Sequence, residues 1–80
     1  MSRAIKDTIA DLMALEDELV LKIYSLEEKI APTIEQPGGV KDYAHDEETR
    51  EGMKEKRDKI EEAAGLIQRA IRILNSIYSF

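Results

Sequence analysis

The sequence predicts an all-α protein, an antiparallel hairpin of two long helices joined by a bend of 12–14 residues. Three observations predict it. Apolar residues recur at steps of three, four and seven in two separate stretches. Proline and paired glycines fall only between those stretches. The composition is rich in Ala, Glu, Lys, Leu, Ile and Arg, with charged residues at 36% and aromatics at 5%, as helical bundles are. The helices are expected over residues 3–31 and 46–79 of a single domain, 1–80, with the bend over 32–45.

The first helix opens after Ser2, a good N-cap. Its seam runs through Ile5, Ile9, Leu12, Leu19, Ile23, Leu26 and Ile30. Pro32 stops it near Ala31, because the ring disfavours helical geometry at the preceding residue. The second helix opens at "HDEETRE", with Asp46 as expected N-cap and acids in the first turn, where the helix dipole favours them. Its seam is Met53, Ile60, Ala64, Ile67, Ile71, Leu74 and Tyr78. Gly52 and Gly65 each cost a helix about 1 kcal/mol relative to Ala. Gly65, after Ala63 and Ala64, is expected to mark a close helix contact. No internal repeat and no β pattern is visible.

The bend is longer than the 2–8 residues that helix–helix connections usually need. "PGG" supplies a turn by itself, with positive φ available at Gly38 or Gly39. The additional "VKDYAH" has two readings. Val40 and Tyr43 could cover the last apolar layer of the hairpin, around Ile30 and Ile34. Alternatively, Lys41, Tyr43 and His45, with Arg50 one turn into the helix, form a basic-aromatic binding loop on an acidic protein.

Charge is unevenly placed. Twelve bases against seventeen acids give a net charge of −5, which argues against duplex nucleic acid as a partner. Residues 41–62 carry nine acids and six bases, whereas Arg69 and Arg72 are the only charges from Ala63 onward. There, Leu66, Ala70, Ile73, Ile77 and Phe80 make a second apolar row. In the first helix Met13, Leu15, Val20, Leu21 and Tyr24 also lie off the seam. The two wide faces are expected to lie side by side at the end away from the bend. A two-helix hairpin buries one stripe per helix, so a second stripe calls for another helix layer. The cheapest source is a second copy, giving a four-helix bundle by homo-oligomerisation. Met13, Val20, Tyr24, Leu66, Ile73, Ile77 and Phe80 are the expected interface.

Chemistry is harder to find. The absence of cysteine excludes disulfides, thiolate metal sites and thiol catalysis. Glu16 and Arg57 occupy seam positions otherwise filled by apolar residues, and an ion pair between them would fix the register. Bundle metal sites use carboxylates with Glu-x-x-His pairs. The single histidine, His45, sits in the bend, so no metal or cofactor is expected. Nothing has triad-like spacing, and "QPGGVK" lacks the spacing and the preceding strand of a phosphate-binding loop. No apolar leader and no spanning segment is visible, which makes a cytoplasmic location the default. The expected function is that of a small non-enzymatic interaction protein: an adaptor, inhibitor or assembly factor that acts through a probable protein partner. The alternative is an oligomer that binds or sequesters a nucleotide-like ligand at subunit interfaces.

Overall fold

In the computed structural model, residues 2–35, 38–39 and 41–79 are described. Helix α1 spans Ser2–Ile30 and helix α2 spans Glu47–Tyr78. They pack against each other as a hairpin with axes of 59 × 22 × 14 Å. At 1.5 Å per residue the arms are about 44 and 48 Å long, so near-equal arms set the length of the molecule.

The seam follows the heptad periodicity. With Ile9, Glu16, Ile23 and Ile30 at position a and Ile5, Leu12, Leu19 and Leu26 at position d, every α1 seam residue is buried or half-buried. On α2 the same holds for Arg50, Arg57, Ala64 and Ile71 at a, and for Met53, Ile60, Ile67 and Leu74 at d. Tyr78, expected in the seam, is instead 42% exposed in the last turn of the longer helix. Ile9 and Ala64 are the most buried of the described residues, at 8% and 6% exposure. Ala64, not Gly65, is therefore the close contact. Gly65 is exposed, and a methyl group there would meet nothing within 4 Å.

Caps and bend follow from local chemistry. Asp46 caps α2: its Oδ1 accepts from the Thr49 backbone N–H at 2.7 Å, with Glu47 and Glu48 in the first turn. Gly38 and Gly39 have φ of +95° and +84°, a region costly for residues with a Cβ. The bend also contains an element that the periodicity does not announce. β1 (Ile34–Glu35) and β2 (Lys41–Asp42) pair antiparallel, Ile34 with Asp42 and Glu35 with Lys41. Thr33 extends the ladder, donating to the Asp42 carbonyl from its backbone N–H at 2.8 Å and from its hydroxyl at 3.2 Å. The extra length of the bend is thus used to make a miniature hairpin. Val40 and Phe80 lie outside the described residues.

Candidate functional surfaces

Three surfaces can be built from these elements. The first is the bend. Arg50 sits one turn inside α2, and its guanidinium carbon lies 3.6 Å from the centroid of the Tyr43 ring. Its Nε donates to the His45 carbonyl at 3.3 Å. The structure thus brings Tyr43, His45 and Arg50 together. Lys41 is exposed on β2. One face of the Tyr43 ring is already occupied by Arg50, so a stacking ligand would have to displace the guanidinium or use the other face. The Asp46 carboxyl is held below the usual aspartate range. Hydrogen bonding from Thr49, side chain and then backbone, is the main cause, and the His45 and Arg50 charges add to it.

The second surface is the seam pair. Arg57 turns along its own helix to Asp58, with Nε and Nη2 at 3.3 and 3.1 Å from Oδ1. Glu16 Oε2 is buried with no hydrogen-bond partner. The expected register pair is therefore not made in the hairpin. Arg57 is 27% exposed and has an adjacent carboxylate at the edge of the seam, which requires less desolvation than a pair inside it.

The third surface is the pair of apolar rows, and here one expectation needs correction. When two helices meet head to tail across an a/d seam, each g position lies beside the partner's g, and each e beside the partner's e. A groove of about 420 Å³ displays this arrangement: it is lined by Leu19, Lys22, Ser25 and Leu26 of α1 and by Lys56 and Ile60 of α2. Lys22 and Lys56 are both g residues. The α2 row occupies the same flank, with Ala63, Ala70 and Ile77 at g and Leu66 and Ile73 at c. Leu15 joins it as a g residue of α1. The α1 row, with Met13 and Val20 at e and Tyr24 at b, occupies the opposite flank. The two rows are therefore not side by side, and the hairpin separates Met13, Val20 and Tyr24 from Leu66, Ile73 and Ile77. Both rows are open: Leu66, Ile73 and Ile77 are 61%, 53% and 47% exposed, and Met13 and Tyr24 are 53% and 63% exposed. Val20 is half-buried.

The residues of the lysine-rimmed groove were not recognised from sequence, although a signal was present. The seven acids of α2 all fall at b, e or f; none falls at c or g. That flank reads Lys56, Lys59, Ala63, Leu66, Ala70, Ile73 and Ile77, basic toward the bend and apolar toward the free end.

Among the described residues, no helix is long and apolar enough to cross a membrane, and no three metal-ligating side chains converge. Comparison with known protein families, curated proteins and solved structures returned no match.

Proposed function

We propose that this chain is a small non-enzymatic interaction protein that works as a homo-oligomeric helical bundle through protein–protein contacts. One observation carries the reading. The hairpin exposes 6305 Å², whereas a compact monomer of 9.1 kDa exposes about 4,900 Å². The excess, about 1,400 Å² per chain, lies within the roughly 1,000–2,500 Å² that each subunit of an obligate homodimer buries. The radius of gyration, 18.1 Å, likewise exceeds the roughly 12 Å of a compact 80-residue domain. Exposed apolar side chains arranged in two helical rows suit further helices better than a small ligand.

The test is thermal unfolding across a hundredfold range of concentration. A bundle held together by its subunits melts higher as concentration rises, by mass action. Ile73→Glu should abolish that dependence by splitting or unfolding the assembly, since it places an unpaired charge in a packed layer. A melting point that is high and independent of concentration in the unmodified chain would contradict the reading.

A further inference from the structure

We infer that the c/g row of α2 is the surface on which two copies meet, packed antiparallel with the two-fold axis beside Ala70. This rests on the self-association proposed above and adds where the copies touch. Three observations select a second copy as occupant, and this row as the contact.

Symmetry is the first. Contact between identical chains about a two-fold axis must be self-complementary. The row Ala63, Leu66, Ala70, Ile73, Ile77 steps by three, four, three and four. Turned end for end about Ala70, Ala63 falls on Ile77 and Leu66 falls within one residue of Ile73. Each large side chain then has a gap to fill, as knobs fill holes in a coiled coil. Ala70, half-buried in the hairpin, is small enough to let the two backbones approach at the axis.

Charge is the second. Each chain carries a net charge of −5, so approach on an acidic face is repulsive. The acids of α2 leave its c and g positions free. On this overlap of about 21 Å the row itself carries no charge, and Lys56 and Lys59 lie beyond its end. The bends then project in opposite directions, with the Lys22–Lys56 groove outside the overlap.

Area is the third. α2 contributes residues 47–61% exposed to this flank, and Leu15 of α1 adds a further 42% exposed side chain. The contact thereby draws on the surface excess that a dimer of this size needs to bury. The row on α1, being on the opposite flank, stays outside it.

The chain has no cysteine, so a single introduced thiol reports proximity cleanly. Ala70→Cys and Val20→Cys should each be folded, as checked by circular dichroism, then oxidised mildly and run on a non-reducing gel. Two thiols at the axis face each other at an effective concentration on the order of millimolar, within the Cα separation of about 4.4–6.8 Å that a disulfide accepts. Ala70→Cys is therefore expected to form a covalent dimer roughly a hundredfold faster than Val20→Cys at about 10 μM protein. If the unmodified chain sediments as a dimer but Ala70→Cys cross-links no faster than Val20→Cys, this inference fails and self-association stands. If the unmodified chain sediments as a monomer, both fail.

Discussion

The Arg50 guanidinium lies over the Tyr43 ring at 3.6 Å while its Nε holds the His45 carbonyl. One side chain thus ties the miniature hairpin of the bend to the first turn of α2. The aromatic of the loop is a brace in this state, even if it also meets a ligand. A double-mutant cycle with Tyr43→Leu and Arg50→Met should give a coupling of about 0.5–1 kcal/mol, the range for an exposed cation–π pair. Coupling near zero would show that the stack is not maintained in solution.

Glu16 gives the second prediction. A seam carboxylate with an oxygen that is buried and unbonded destabilises the hairpin, by roughly 1–3 kcal/mol for such groups. Glu16→Leu should therefore raise the denaturation midpoint. The Arg57→Ala change should act independently of it, because Arg57 is engaged with Asp58. A coupling of about 1 kcal/mol or more between the two sites would instead reveal a pair that forms across the seam.

Gly65 gives the third. It is exposed and helical, and a methyl group there would meet nothing within 4 Å. Gly65→Ala should stabilise the protein by about 0.5–1 kcal/mol through backbone propensity. Position 65 falls at b, outside the c/g contact, so the gain should come without loss of assembly. Loss of assembly would place a partner helix on Gly65 and shift the contact to the other flank.

The cap of α2 gives the fourth. The Asp46 pKa is lower in the folded chain than in the unfolded one. Its contribution is therefore fully present above the ordinary aspartate value of about 3.9, and is lost as pH falls through the lower folded value. Asp46→Ala should remove that contribution at neutral pH. It should also flatten the acid limb of the stability profile below about pH 4. An unchanged acid limb would assign it to other carboxylates.

Much of the hairpin is legible in the sequence because its determinants are periodic or local. Ile5 through Ile30 and Met53 through Leu74 declare a seam by spacing alone. Pro32 and Asp46 mark the inner ends through effects confined to one turn. The β1–β2 pair was not legible: two-residue strands carry no alternation, and their ladder depends on a turn that brings Thr33 to Asp42. Tyr78 keeps the heptad spacing yet lies exposed, since spacing does not say where the opposing helix ends. The separation of Met13, Val20 and Tyr24 from Leu66, Ile73 and Ile77 was within reach, because heptad letters assign flanks once the helices are taken as antiparallel. The Lys22–Lys56 groove was signalled only by where the acids of α2 do not occur.

Sedimentation equilibrium of the unmodified chain at micromolar concentration tests the central claim most directly. The account predicts a mass of at least twice 9.1 kDa, with the helices formed. A well-folded species of 9.1 kDa that persists at high concentration would contradict it, and would leave the c/g row of α2 without a role in self-assembly.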